Sequence, residues 1–145
     1  MKKILILVVM LVLTFSSLSA EGVNVGKVNH KPYEYKGQEL IFCGMWLKMG
    51  TKHLAGIDLL HVETDEGAVF YDFMSEERLN FVATPGLAEI WNEYTKDEGR
   101  GMVLAVNLIG TILEVGKPDY TWWVFAVYNI QILDTNYNVS EVLSE

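Results

Sequence analysis

Two long β-patterned runs near the end of the chain constrain its fold more than any other feature. Residues Gly101 to Val115 form one, with Gly110 near its middle. Tyr120 to Leu133 (YTWWVFAVYNIQIL) form the other, rich in the aromatic and β-branched residues that fit a pleated surface. Between them Gly116-Lys117-Pro118-Asp119 is a turn signal. Strands this long with internal glycine suit a closed barrel, because tight curvature needs bulges or glycine kinks.

Upstream, Glu39 to Met49 alternates with apolar residues on both faces: Ile41, Cys43, Met45, Leu47 and Met49 on one, Leu40, Phe42, Gly44 and Trp46 on the other. That pattern predicts a strand covered on both sides, with Gly44 placed for a bend or bulge. After a loop over Gly50 to Gly56, Ile57 to Glu63 reads as a second strand. Thr64-Asp65-Glu66-Gly67 reads as a hairpin turn, and Ala68 to Met74 as the returning third strand. Ser75 to Asn80 is polar. One helix is predicted within Phe81 to Glu98, with Thr84 as N-cap, Pro85 at the first helical position and Gly99 as its stop. Leu87, Ile90, Trp91 and Tyr94 fall on one stripe that must face the core.

The chain opens with Lys2 and Lys3, an apolar run of ten residues from Ile4 to Leu13, and the small-residue exit Ser16-Ser17-Leu18-Ser19-Ala20. This is the three-part pattern of a secretory signal, with cleavage expected after Ala20. The apolar run is short for a membrane span, which needs roughly 20 residues, so no stable membrane anchor is expected after cleavage. Two lysines and a short apolar stretch make the signal bacterial in type, which predicts a periplasmic or secreted protein. The divisions expected are a signal over 1–20, a loose leader over 21–36 with a short strand near Tyr33 and Tyr35, one globular domain over 37–134, and a polar tail over 135–145.

With the signal removed, 9 Lys and Arg remain (11 less Lys2 and Lys3) against 19 Asp and Glu, a formal charge of −10. Such a chain repels phosphate backbones, and Arg78 and Arg100 are its only arginines, so nucleic acid is not expected as a partner. Cys43 is the single cysteine, which leaves no internal disulfide; among Phe42, Met45 and Leu47 it reads as a buried, inert thiol.

The order strand, two-strand hairpin, helix, two long strands resembles the oligonucleotide/oligosaccharide-binding (OB) fold superfamily over roughly Gly37 to Leu133. The resemblance lies in element order and in no sequence motif. It implies a mainly β, five-stranded antiparallel barrel with one helix between the third and fourth strands, and a customary binding face on the second and third. The alternative is a small α+β fold with the helix on an open antiparallel sheet. Neither layout names a ligand.

Signals of chemistry are sparse. His30, His53 and His61 match no zinc spacing. Asp72, Glu76 and Glu77 lie close in sequence and offer carboxylates for metal-assisted hydrolysis, but no second catalytic group neighbours them. There is no Ser-His-Asp signature, phosphate loop or CxxC, and no cofactor motif. Adjacent residues on a strand point to opposite faces, so one of Trp122 and Trp123 should face inward and the other outward. Trp122, Trp123 and Tyr71 are the aromatic candidates for a ligand or partner contact, a cap on the barrel rim being the plainer role of the outward tryptophan. Asn138-Val139-Ser140 matches a glycosylation acceptor, a pattern mostly accidental in a bacterial chain. The expected function is an exported noncatalytic binding module for a protein, glycan or small ligand; the alternative is a secreted hydrolase using Asp72, Glu76 and Glu77.

Overall fold

The computed structural model describes residues 23–54, 56–63, 69–70, 79–97 and 102–145. The signal segment, the Thr64-to-Gly67 turn, Tyr71, Asp72, Glu76, Glu77, Arg78, Gly99 and Arg100 lie outside the described residues. No described helix is long and apolar enough to cross a membrane.

The described strands are β1 (Glu39–Leu54), β2 (Ile57–Glu63), β3 (Val69–Phe70), β4 (Asn80–Ala83), β5 (Val103–Lys117), β6 (Tyr120–Leu133) and β7 (Val139–Ser144). Five of them close a ring in the order β1-β5-β6-β4-β2, with β2 returning to β1. Ring closure removes the open-sheet alternative. Helix α2 (Pro85–Thr95) lies between the third and fourth strands of the ring, as the element order implies. One ladder differs from the antiparallel expectation: β4 runs parallel to β6, from Asn80↔Val124 to Ala83↔Val127. Parallel neighbours need a long connection, which α2 and β5 supply.

The third ring strand is not where the sequence suggests. Of the run Ala68 to Met74, residues 69 and 70 are described and pair with β2, while β4 closes the ring. All four β4 residues are buried, so the strand shows no alternation and blends into the helical pattern that follows. The helix accordingly starts at Pro85, and Phe81 belongs to the core sheet.

Long strands curve through bulges. Between Phe42 and Met45 the β1–β5 register shifts, and Gly44 takes φ 66°, which a side chain would oppose. The shift exchanges the faces of β1: Leu40 and Phe42 point inward before it, Met45 and Leu47 after it. Cys43 sits in the bulge and is exposed, a correction to the buried thiol expected among Phe42, Met45 and Leu47. The Gly44 N–H is taken up by Asn107 Oδ1 at 3.1 Å. A second shift lies between Ile109 and Gly110, where the β5 backbone lies so close to Ala126 and Val127 that a Cβ on Gly110 would strike main-chain atoms. The expected loop over Gly50 to Gly56 is largely strand, with another register shift between Lys48 and Thr51.

The interior is filled. Phe42, Phe81 and Phe125 form an aromatic centre with ring centroids 4.5 to 5.8 Å apart, surrounded by Leu47, Leu60, Leu108, Ile112 and Ile130. Helix α2 adds Leu87, Ala88 and Trp91 to the same core. Trp91 is fully buried, stacks on Tyr94 at 5.9 Å, and donates its indole N–H to the Gly50 carbonyl at 3.3 Å.

Both ends of the chain hold more structure than expected. Where a loose leader with a strand near Tyr33 was expected, Val25–His30 is a helix (α1), followed by a 3-10 turn over Pro32–Tyr35. Val28 anchors α1 in the core, and Asn29 Oδ1 accepts the Leu79 N–H at 2.6 Å. The tail read as polar contains β7, which pairs antiparallel with β6 from Asn129↔Ser144 to Leu133↔Val139. Its six residues carry one core anchor, Leu143, too few apolar contacts to be legible as a strand.

Candidate functional site

The ring wall separates two apolar clusters. On β6 the side chains of Trp123, Phe125 and Val127 join the main core, whereas Trp122, Val124 and Ala126 turn to the outer surface, as strand periodicity requires. There they meet Ile57 and Leu59 of β2, Val82 of β4 and Val115 of β5. Leu59, Val82 and Val124 are buried at the centre, while Ile57, Val115, Trp122 and Ala126 are half-buried around them. Leu113, the ladder partner of Val124, is 40 % exposed at the margin. The outer cluster therefore lies across the second and third strands of the ring and continues onto the fifth.

Of the residues singled out from sequence, Trp122 belongs to this outer cluster and Trp123 packs on the core, one to each face. Tyr71, with Asp72, Glu76 and Glu77, lies outside the described residues, so neither its aromatic ring nor the proposed carboxylates can be placed beside Trp122. That Leu59, Val82 and Leu113 belong to the outer side of the wall was not legible, because each sits in a run that reads as core. Only ring closure shows which side of the wall each takes.

A concave feature lies between the start of β2 and the exposed face of α2. It is a shallow groove of about 530 Å³ lined by Asp58, Ala88, Glu89, Asn92, Glu93 and Lys96, with Pro85 at one end. His53 Nδ1 lies 3.1 Å from Asp58 Oδ1, and Thr51 Oγ1 donates to Asn92 Oδ1 at 3.0 Å. Across the same sheet His61 Nε2 lies 3.2 Å from Glu63 Oε1. His53 and His61 thus stand in separate carboxylate pairs. Among the described residues no group of three or more His, Cys, Asp or Glu is placed to hold a metal ion.

Three titratable groups have shifted affinities for protons. Hydrogen bonds from Lys36 and Thr121 hold the Glu114 carboxyl below its ordinary range; Lys36 Nζ is 3.0 Å away. Burial, reinforced by a hydrogen bond with Glu39, pushes the Tyr128 phenol up to about 12. The Glu145 carboxyl is lowered chiefly by its hydrogen bond from Thr84, aided by the backbone N–H groups of Leu87 and Gly86. Among the described residues, none of the three borders the outer apolar cluster as a paired acid and base.

Compared with protein-family models, with curated proteins and with solved structures, the chain gives no match.

Proposed function

We propose that the protein is an exported, noncatalytic binding module that takes its ligand on the outer face of β2, β4 and β6. The observation that carries this reading is the position of the outer apolar cluster. It covers the second and third strands of the ring, the face on which OB-type barrels customarily bind. We read the chain as a relative of that superfamily on the same ground, together with the helix between the third and fourth strands. The filled interior supports an outside site, since the volume an internal ligand would need is taken by Phe42, Phe81 and Phe125. The half-buried Trp122 supplies a flat apolar ring edge, suited to a sugar face, an apolar small molecule or a protein side chain. The charge of −10 disfavours nucleic acid. Export rests on the pattern over residues 1–20 alone.

Two experiments test the reading. N-terminal sequencing of the protein from an exporting bacterial host should find Glu21 first; a full-length cytoplasmic product overturns export. A thermal-shift screen of glycans, peptides and apolar small molecules should find ligands that raise the melting temperature, since a native-state ligand stabilises by mass action. That rise should be lost in Leu113→Asp and Trp122→Ala. Ligands that stabilise both variants as well as the parent bind elsewhere, and the proposed face is then wrong.

A further inference from the structure

The segment joining β6 to β7 carries a conformational cost that the core does not offset. Asp134 to Asn138 turns the chain back on itself, closed by Asp134 N–H donating to the Asn138 carbonyl at 2.8 Å and Tyr137 N–H to the Asp134 carbonyl at 3.0 Å. Tyr137 takes φ 61°, the one non-glycine residue with positive φ among the described residues. A left-handed conformation is unfavourable for an aromatic residue, whose Cβ crowds the following carbonyl. Such strain usually persists where side-chain contacts over-determine it. Here the side chain is 64 % exposed, so the core gives nothing in exchange.

The strand beyond this turn is weakly held. β7 pairs with β6 alone, and five of its six residues are exposed. Beyond the ladder three features dock it: Leu143 against the core, Ser140 Oγ donating to the Ile132 carbonyl at 3.1 Å, and Glu145 on the N-terminus of α2, where Thr84 Oγ1 donates at 2.6 Å and Leu87 N–H at 3.2 Å. Each of these contacts can form equally with β7 of another molecule. A strand whose contacts transfer unchanged, joined by a short strained hinge, has the requirements for exchange between copies.

We infer that β7 is an exchangeable strand, and that two copies of this chain form a symmetric dimer in which each β7 pairs with the β6 of the other. Straightening the hinge returns Tyr137 to extended backbone. The Asp134–Asn138 pairing then forms across the two-fold axis instead of within one turn. Opposing exchange, Asp134 Oδ1 accepts the N–H groups of Asn136 and Asn138, at 2.8 and 3.0 Å, and holds the closed turn. The hinge thus contains one residue favouring each state, and concentration sets the balance.

The test uses two full-length chains, each with Cys43→Ser to remove the exposed native thiol. One carries Gln131→Cys and the other Val142→Cys, positions that face each other across the β6–β7 ladder. The chains are unfolded, mixed, refolded together at low and high concentration, and oxidised. Exchange places the Gln131→Cys position of one chain opposite the Val142→Cys position of the other. Expected is a covalent heterodimer that exceeds both homodimers and rises with concentration. Asp134→Ala should raise its yield relative to folded monomer, and Tyr137→Gly should lower it about tenfold per hinge, because glycine is free of the left-handed penalty. Yields are read on the soluble, cooperatively melting fraction, so a variant that misfolds does not count as a change. Heterodimer no more abundant than the homodimers overturns the inference, and so do hinge variants that leave its yield unmoved.

Discussion

Glu145 caps α2 in place of Thr84. Thr84 holds the N-cap position, yet its hydroxyl makes no cap bond to the helix; it donates instead to Glu145 Oε1 at 2.6 Å, and that oxygen also accepts the Leu87 N–H at 3.2 Å. A carboxylate here satisfies a free backbone donor and complements the positive end of the helix. Because the Glu145 carboxyl is lowered from its ordinary 4.5, its contribution is present above the unfolded value and is lost as pH falls through the folded one. Glu145→Gln should therefore lower the melting temperature at neutral pH, and the gap to wild type should close on acidification. Melts across an acid series check both parts; a gap constant with pH would count against the carboxylate.

Gly86 leaves room for that carboxylate, since a Cβ there would fall 2.5 Å from Glu145 Oε1. Alanine should displace Glu145 rather than disturb the helix, which alanine favours. Gly86→Ala and Glu145→Gln should then be non-additive in a double-mutant cycle by urea unfolding.

Trp91 and Glu93 give the contrast between buried and exposed faces of α2. Trp91→Ala should cost about 3–5 kcal/mol, the range for truncating a buried large aromatic. Glu93, whose side chain is 79 % exposed, should change stability by no more than about 0.5 kcal/mol on truncation. Urea melts of the two variants decide whether the helix is packed as described.

Gly110→Ala should be among the most damaging single-methyl changes. The added carbon would meet the Ala126 carbonyl, with the Val127 Cα 3.0 Å away, and main chain cannot rotate aside as a side chain can. We expect a loss of about 3 kcal/mol or more, the upper end for overpacking. An alanine variant with wild-type urea midpoint would mean that β5 and β6 are not so close at this bulge.

Tyr128 governs the alkaline limb. Its phenol is raised from 10.0 to about 12, chiefly by burial. The stabilisation is complete below the unfolded value and is lost as pH climbs from about 10 to about 12. Tyr128→Phe should flatten stability across that window, measured by chemical unfolding at alkaline pH.

Much of the architecture is written in local signals. Thr84-Pro85 marks the helix start, Gly44 the first bulge, and the Trp122-Trp123 pair splits across the wall as period two demands. What stayed hidden depends on distant partners. Val25–His30 is too short for a helical repeat, and its single anchor, Val28, means something only once the core is assembled. β4 is four residues with no alternation, and its partner β6 lies some forty positions away. Cys43 points outward as the neighbour of inward Phe42, and the bulge at Gly44 reverses the parity of β1, so that Met45 and Leu47 turn inward and no longer share its face; no count along the strand reveals that reversal. The outer cluster was illegible for the same reason: Leu59 and Leu60 are alike in sequence and differ only in which side of the closed wall they occupy.

That wall has a consequence for how the protein can change over generations. Along β6, side chains 123, 125 and 127 maintain the fold while 122, 124 and 126 line the outer face. If the outer face binds a ligand as proposed, substitutions at half-buried Trp122 and Ala126 can alter what it prefers while leaving Trp123, Phe125 and Val127 in the core untouched, so recognition and stability can drift in part separately on a single strand. The protection extends to exchange of residues and not to their number. One residue inserted ahead of Trp122 would swap the two sets, turning Phe125 to solvent and sending outer residues into a core already full.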